Sequence, residues 1–310
     1  MITNFILLVL GLFLLLYSAD QMINNADHIA KKFSISPLFI GLTIVAFGTS
    51  APELIITILA ALKEVPAYEA ITGNVIGSNI ANILLILGVS GVFFKIDVNL
   101  ITKNDCFYLG LITAYFSMIF FVADIINIYY SLGFGLLVVL FFNYLRNFKK
   151  NTEEEFEQQF SNATYIKLLF SFIGLFVGGK LFLDYSLNIF TILGFEQTVI
   201  GITILAIGTS LPELATVILS YIKRKGAVGI GNIIGSNMMN ILFVFFPGIL
   251  IVQSRGYDFI ASKSALPHIY ILIIVTLIII LMAIFKMTLS KILSCIFILI
   301  YIIYIYWVLT

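Results

Sequence analysis

The chain has 310 residues, of which 61% are hydrophobic and 11% are charged, and its formal net charge is +1. A soluble core cannot account for so much apolar sequence, and the near-neutral charge gives no indication of a nucleic-acid partner. Cys106 and Cys295 lie far apart and outside any CxxC spacing, so neither a disulfide nor a thiolate metal site is indicated. We therefore interpret the sequence as that of a membrane protein.

Apolar segments of about 20 residues recur along the whole chain, each long enough to cross a hydrocarbon core of ~30 Å as a helix. The first segment lacks a basic start and is followed closely by more apolar sequence, unlike a cleaved signal peptide. The fold class predicted is an all-α polytopic membrane protein with ten transmembrane helices. The predicted spans are residues 2–18, 37–62, 70–93, 105–123, 125–146, 164–190, 197–221, 229–252, 267–285 and 290–309.

The sequence contains an internal repeat. GLTIVAFGTSAPE at 41–53 matches GITILAIGTSLPE at 201–213 in nine of thirteen positions, and GNVIGSNIAN at 73–82 matches GNIIGSNMMN at 231–240 in seven of ten. Each half would hold five spans, an odd number, so the second half enters the membrane from the opposite face. We predict two inverted five-helix repeats, residues 1–147 and 164–310, joined by a polar hinge loop at 148–163.

The positions of lysine and arginine indicate the orientation, because basic residues are retained on the cytoplasmic side. With the N-terminus outside, thirteen of the seventeen basic residues lie at the inner ends of the predicted spans. Lys63, Arg255 and Lys263 then lie outside, and Lys180 falls within a span. The sequence thus predicts both termini outside the cell and the 148–163 loop in the cytoplasm.

Each repeat interrupts an apolar span with a proline. Pro52 has no N–H and cannot bond the carbonyl of Gly48 four residues earlier, so the helix must loosen there and leave main-chain oxygens free. Pro212 and Gly208 repeat the arrangement. Free carbonyls at membrane depth are tolerated where they line a wet cavity or meet a ligand. A cation would satisfy them.

Glu53 and Glu213 close the two copies of this motif. An unpaired carboxylate at mid-membrane costs about 3 kcal/mol on insertion scales, and the motif segments contain no Lys or Arg to neutralise it. Close helix packing would explain the small residues of the repeat, including Gly73, Gly77, Gly231 and Gly235, but it would not explain two glutamates. A bound cation would explain both glutamates.

The candidate ligands are all oxygens. Spacings of i, i+3, i+4 and i+7 place the motif residues on one face of a helix, and i+4 spacing aligns Asn74 with Ser78 and Asn82, and Asn232 with Ser236 and Asn240. Such ligands suit hard cations such as Ca²⁺ and Na⁺, whereas zinc or copper would call for His or Cys. The predicted cation-binding residues are Ala46, Thr49, Ser50, Glu53, Ser78, Asn82, Ala206, Thr209, Ser210, Glu213, Ser236 and Asn240.

The charges of this site indicate a mechanism. With Glu53 and Glu213 ionised, the empty site carries two negative charges, which are unfavourable in an occluded intermediate. One Ca²⁺ or two Na⁺ cancel them, and a third Na⁺, held by the Ala46 or Ala206 carbonyl with Thr and Ser oxygens, leaves the carrier one charge positive. Loaded forms can then cross and the empty form cannot, which is the condition for obligatory exchange. Spacing alone does not fix the ratio.

The paired GTSxPE and GNxxGSN segments in inverted halves of a ten-span chain resemble the sodium/calcium exchanger branch of the cation/calcium antiporter superfamily. Proton-coupled members typically carry GNxxE where this chain has GTSAPE and GTSLPE. The resemblance covers essentially the whole chain. It implies that Glu53 and Glu213 bind both Ca²⁺ and Na⁺ near the bilayer centre, and that the first and sixth helices slide across the other eight. The flanking sodium sites that it implies are completed by Thr49, Ser50, Ser78, Thr209, Ser210, Ser236 and the carbonyls of Ala46 and Ala206.

Departures from the family pattern narrow the expectation. Some relatives, including potassium-dependent ones, carry Asp at one of the positions held here by Asn82 and Asn240. Two neutral amides favour electrogenic Na⁺/Ca²⁺ exchange without K⁺. There is no large cytoplasmic insertion of the kind that regulates animal exchangers, which favours a prokaryotic inner membrane.

Other functions stay open. A Ca²⁺/H⁺ or other cation/proton antiporter would use the same two glutamates with H⁺ in place of Na⁺. An ion channel would need a continuous wet pore, for which a pseudo-symmetric pair of sites argues poorly. An enzyme is not expected, since HExxH and GxSxG motifs are missing from the spans. We expect no cofactor and no obligatory protein partner, so that the partners are Ca²⁺, Na⁺ and the lipid bilayer.

Overall fold

Helices dominate the computed structural model, which describes residues 2–146, 163–192 and 208–309. In chain order they are α1 (Ile2–Lys32), α2 (Pro37–Thr49), α3 (Ala51–Ala61), α4 (Tyr68–Phe93), α5 (Lys103–Val122), α6 (Ile128–Arg146), α7 (Ala163–Ile192), α8 (Leu211–Ile222), α9 (Gly226–Ser254), α10 (Leu266–Ile284) and α11 (Lys291–Leu309).

Within the described ranges, eight helices are long and apolar enough to cross a membrane, or nine if the bent pair α2–α3 forms one span. The prediction of a helical, polytopic membrane protein is thus confirmed. The prediction of ten spans is not settled by this number, because part of the predicted span 197–221 and nearly all of the predicted hinge loop lie outside the described residues. The described part of that span is the 12-residue helix α8.

The first helix is longer than the predicted span 2–18, since α1 continues to Lys32. Its second half is rich in polar residues, which end an apolar run but need not end a helix. Asn24 donates to the Asp20 carboxylate at 3.2 Å, and Asn25 donates to the carbonyl of Gln21 at 2.6 Å. These bonds between residues four apart satisfy the polar groups along the helix surface.

Two short antiparallel ladders join the halves of the chain. Strand β1 (Ile96–Asp97) pairs with β4 (Thr288–Leu289), and β2 (Ile125–Ile126) pairs with β3 (Phe259–Ile260). The all-α prediction missed these strands, because two residues are too few to leave a periodic pattern. Each ladder ties a loop of the first half to a loop of the second.

Helices α1 and α7 pack along each other with their backbones in contact. A Cβ added to Gly11 would lie 2.6 Å from the backbone nitrogen of Phe182, and one added to Gly178 would lie 2.5 Å from that of Leu15. Buried side chains of the two helices, including Leu15 and Leu175, belong to a smaller hydrophobic cluster that is separate from the main core. The main core lies among α4, α5, α9 and α10 and holds the site helices in place.

Ion pairs hold the C-terminal half of α1 to the turn between α8 and α9. The carboxylate of Asp20 lies 2.5 Å from Lys223 Nζ, and that of Asp27 lies 2.9 Å from Lys225 Nζ and 3.1 Å from Lys31 Nζ. Asp20 and Asp27 therefore tie α1 to the C-terminal end of α8 and the turn that follows it.

Asp27→Asn is expected to lower the apparent Tm of the purified protein more than Asp20→Asn does. The Asp27 side chain is 10% exposed and has two lysine partners, whereas that of Asp20 is 34% exposed with one. Leaving partly buried lysines unpaired costs ~1–3 kcal/mol, against ~0–1 kcal/mol for an exposed pair. Thermal unfolding in detergent measures both variants, and equal shifts would contradict this assignment.

Candidate cation-binding site

The first motif breaks its span at Ser50. Helix α2 ends at Thr49 and α3 begins at Ala51, with a 43° bend between them. Pro52 lies in the first turn of α3, where its missing N–H leaves no bond unmade. The predicted loosening of the helix is confirmed. The prediction that the motif residues share one face of a single helix is wrong, because Glu53 lies in the first turn of a second helix.

The second motif repeats this geometry. Helix α8 begins at Leu211, directly after the non-helical residue Ser210, and carries Pro212 and Glu213 in its first turn. Both carboxylates therefore lie at helix N-termini, where the partial positive charge of the backbone favours an anion. The predicted ligand Ala206 lies outside the described residues.

Glu53 is fully buried and is fixed by α4. Ser78 Oγ donates to Glu53 Oε1 over a long 3.5 Å, while Oε2 has no hydrogen-bond partner within the described chain. Asn74 Nδ2 donates to the main-chain carbonyl of Glu53 at 2.9 Å and lies 3.1 Å from Thr57 Oγ1. Helix α4 thus holds the start of α3 and leaves one carboxylate oxygen free for a cation.

Glu213 comes close to Glu53 from the other half of the chain. It is 1% exposed, and its carboxyl group lies within electrostatic range of Glu53 and of the Thr49 hydroxyl. Neither of its oxygens makes a hydrogen bond of normal geometry to a described residue. The two predicted acids are therefore both buried and close enough to interact electrostatically.

Thr49 connects the first motif with α9. Its hydroxyl oxygen lies 3.0 Å from Asn232 Oδ1, 3.3 Å from Ser236 Oγ and 3.3 Å from the carbonyl of Ala46. That carbonyl also accepts from the N–H of Ser50 at 3.0 Å. The predicted sodium ligand Ala46 O thus has hydrogen-bond partners of its own, and binding a cation there would displace the Thr49 contact.

Four asparagines link α4 and α9 at the centre of the site. The side-chain amides of Asn79 and Asn237 each donate to the main-chain carbonyl of the other. Asn82 donates to the side-chain oxygen of Asn237, and Asn240 donates to that of Asn79. At Asn82 and at Asn240 the two helices change to π-helical turns, Asn82–Ile86 and Asn240–Phe245, which are common at functional sites. The predicted ligand list omitted Asn79 and Asn237, although both lie inside the repeated GSN triplet.

Thr209 is half-buried and lies beside the helix start rather than among these asparagines. It lines a cavity of about 210 Å³ between α3 and α7, together with Pro52 and Pro212. Lys180 lines the same cavity from α7. The basic residue predicted to fall within a span thus borders the site region.

Buried oxygens without a hydrogen-bond partner concentrate at the predicted ligands. Buried polar atoms are normally bonded, so a group of orphaned acceptors marks a place that needs an external donor or a cation. Among the residues that the structure describes, no cluster of three or more His, Cys, Asp and Glu side chains has metal-binding geometry. Neutral oxygens such as hydroxyls and amide carbonyls, which surround the two glutamates in the motif segments, are ligands that hard cations accept. The orphaned motif oxygens are Ser50 Oγ, Glu53 Oε2, Asn82 Oδ1, Ser210 Oγ, Glu213 Oε1 and Oε2, and Asn240 Oδ1.

The repeat glycines behave differently in the two halves. A Cβ on Gly231 would lie 2.4 Å from the carbonyl oxygen of Leu38, and one on Gly235 would lie 2.3 Å from that of Leu42, so α9 and α2 touch as predicted. Gly73 and Gly77 have no described atom within 4 Å of such a Cβ. By the repeat, their partner segment would be 198–206, which lies outside the described residues.

Comparison with known proteins now bears on this arrangement of paired acids and amides. A family model described as "Sodium/calcium exchanger protein" matches residues 3–147 and 164–310. The chain belongs to the sodium/calcium exchanger family. The resemblance drawn from the GTSxPE and GNxxGSN segments is confirmed, and this exchanger-family member is an integral membrane protein of the cation/Ca²⁺ antiporter class.

Individual relatives cover most of this exchanger. It is 30% identical over 291 residues to the sodium/calcium exchanger MaX1 of Methanosarcina acetivorans, which covers 78% of this chain and 81% of the relative. It is 30% identical over 254 residues to the inner membrane protein YrbG of Escherichia coli, covering 77% of each chain. A solved structure of the sodium-calcium exchanger NCX_Mj, soaked with Na⁺ and Ca²⁺, matches with a TM-score of 0.81 at 30% identity, covering 99% of this chain and 98% of that one.

Proposed function

We propose that this chain exchanges Na⁺ for Ca²⁺ across the membrane by alternating access, with Glu53 and Glu213 shared by the two cations. The observation that carries the proposal is the meeting of two buried carboxylates, one from each half, among orphaned oxygens. Neither glutamate forms an ion pair with a described basic residue. Cations from solution are the natural partners of such a site.

The charges of the site explain why transport would be an exchange. One Ca²⁺ or two Na⁺ neutralise the two carboxylates, whereas the empty site keeps both negative charges in a low dielectric. Crossing is therefore favoured only for loaded forms. If a third Na⁺ joins, each cycle moves one net charge, and a membrane potential of 100 mV changes its free energy by about 2.3 kcal/mol.

The proposed architecture is ten spans in two inverted repeats, residues 1–147 and 164–310, around the 148–163 hinge. The ladder pairing supports it, because exchanging the halves turns β1 into β3 and β4 into β2, which converts one ladder into the other. The asparagine bonds are converted into each other in the same way. A two-fold axis in the membrane plane would account for both.

The proposed orientation has both termini outside the cell. Lys95, Lys103, Lys286 and Lys291 lie beside the β1–β4 ladder, and basic residues favour the cytoplasmic side. The similarity to YrbG, which is named an inner membrane protein, supports a prokaryotic inner membrane as the location.

Cation/proton exchange is the second candidate function. It is favoured by the Glu213 carboxyl, both of whose oxygens are buried without a donor, so that a proton would relieve the site as a sodium ion does. The two functions share their residues and differ in the coupling ion.

Purified protein in vesicles loaded with Na⁺ and diluted into Na⁺-free medium is expected to take up labelled Ca²⁺. With a pH gradient of equal driving force instead, Ca²⁺ uptake should be no greater than the uptake by vesicles without protein. If the exchange is electrogenic, an imposed inside-positive potential should increase this uptake, because net positive charge leaves with the sodium ions. Adding K⁺ at constant potential should change nothing.

Uptake driven by the pH gradient alone would replace the sodium proposal with the proton one. Equal uptake with no ion gradient other than that of Ca²⁺ would contradict antiport altogether. Vesicles containing Glu53→Gln serve as the matched control for leak.

A further inference from the structure

We propose that Asn79 and Asn237 are positioning residues that orient the side-chain amides of Asn82 and Asn240, so that both amide oxygens face the transported cation. The inference rests on the proposed function only in that a cation occupies the site, whichever ion drives transport. Asn79 and Asn237 themselves use their amide groups on each other and on the two ligands.

The bonds between the positioning residues are reciprocal. Asn79 Nδ2 donates to the main-chain carbonyl of Asn237 at 3.1 Å, and Asn237 Nδ2 donates to that of Asn79 at 3.3 Å. Each amide nitrogen is therefore held against a backbone acceptor. This settles which way each amide points, because a flipped amide would place its oxygen against the carbonyl oxygen.

The remaining oxygen of each positioning residue then acts on a ligand. Asn237 Oδ1 accepts from Asn82 Nδ2 at 2.9 Å, and Asn79 Oδ1 accepts from Asn240 Nδ2 at 3.0 Å. With their nitrogens committed, Asn82 and Asn240 must direct their oxygens elsewhere. Both of those oxygens are buried and without a partner among the described residues.

The alternative orientation would be costly in two ways. If Asn82 flipped, its oxygen would face Asn237 Oδ1, and two acceptors would meet without a proton between them. Its NH₂ group would then take the place of the unpartnered oxygen and would repel a cation bound there. All four asparagines are at most 1% exposed, so water cannot relieve either conflict.

The same bonds explain why these two ligand positions suit neutral amides. An ionised aspartate at 240 would set a carboxylate oxygen against Asn79 Oδ1, and one at 82 would do so against Asn237 Oδ1. The positioning residues thus favour a donor at each ligand position. With neutral amides at both positions, the formal negative charge of the site stays on the two glutamates.

Equilibrium binding of Ca²⁺ to the purified full chain tests the inference without relying on transport. Asn79→Leu retains the approximate size of the side chain but offers no acceptor to Asn240, so Ca²⁺ affinity is expected to fall about 10-fold or more. Asn237→Leu should cause a similar loss through Asn82. Ser131→Ala removes a comparable bond between helices, from Ser131 Oγ to Gln253 Oε1 at 2.9 Å, and should leave Ca²⁺ affinity unchanged.

A double-mutant cycle separates positioning from general support of the helix contact. Because Asn79 acts through Asn240, Asn79→Leu should have little further effect on Ca²⁺ affinity in an Asn240→Ala background. In an Asn82→Ala background it should keep most of its effect. The same loss in both backgrounds, or native affinity in Asn79→Leu, would overturn the inference.

Asn79→Asp decides the matter if Asn79→Leu does not fold. It retains an oxygen that can accept from Asn240 but loses the amide donor to the Asn237 carbonyl. Positioning predicts a smaller loss of Ca²⁺ affinity than in Asn240→Ala, which removes the ligand oxygen itself, whereas an equal or larger loss would refute it. Failure of Na⁺-driven uptake in the native protein would refute the proposed function and leave these binding results intact.

Discussion

Replacing either Glu53 or Glu213 by glutamine is expected to abolish Ca²⁺ transport while the protein remains folded. Glutamine has nearly the shape of glutamate, but the site then has one negative charge, and a bound Ca²⁺ leaves an uncompensated buried positive charge. Such a charge costs about 3–5 kcal/mol, which corresponds to a loss of Ca²⁺ affinity of roughly 10²–10⁴-fold. Uptake of labelled Ca²⁺ into vesicles and equilibrium binding measure the two effects.

The ion-free variants supply a second signature. Removing an unpaired buried carboxylate relieves part of its desolvation cost, so the apparent Tm of ion-free Glu213→Gln should equal or exceed that of the native protein. Glu64→Gln, on an exposed loop, is the control and should transport normally. Near-normal flux in either site variant would remove these residues from the mechanism.

Gly235→Ala is expected to destabilise the protein strongly, whereas Gly135→Ala in α6 is not. The new methyl group on Gly235 would lie 2.3 Å from the carbonyl oxygen of Leu42 and 2.7 Å from the Cβ of Ala46. Backbone cannot yield as a flexible side chain can, and overpacking of this kind costs about 1–3 kcal/mol. Pushing α2 away from α9 would also stretch the bonds of Thr49 to α9, so Ca²⁺ affinity should fall as well.

Gly135→Ala is the matched control, because the nearest described atom to its added Cβ is Phe246 Cζ at 4.0 Å, an ordinary van der Waals distance. Alanine is the better helix former by about 1 kcal/mol, so this variant should be as stable as the native protein or slightly more so. Apparent Tm and the yield of monodisperse protein compare the two variants. Equal losses in both would contradict a specific close contact of α9 with α2 at Gly235.

The sequence predicted the membrane architecture and the break at Ser50 because both follow from local chemistry. Hydrophobic length indicates spans, and a proline removes one specific backbone bond wherever the helix lies. The repeat predicted that Glu53 and Glu213 belong together. Their proximity in the structure follows from the same duplication.

What the sequence did not predict depends on contacts between distant segments. Helical spacing pointed to the face of Asn74, Ser78 and Asn82, but Asn79 lies one residue beyond Ser78 and becomes important only because α4 meets α9 there. Likewise the part of α1 beyond the predicted residue 18 carries Asp20, whose ion-pair partner Lys223 lies more than 200 positions later in the sequence. Neither partner can be identified from periodicity along one helix.

The backbone contact between α1 and α7 has a mechanical consequence. Because Gly11 and Gly178 bring the two backbones into direct contact, rotating either helix about its axis would turn a larger side chain into the backbone of the other. A displacement of one helix should therefore displace the other with it. The two helices should move as one rigid unit, and the ion pairs of Asp20 and Asp27 connect that unit to the turn between α8 and α9.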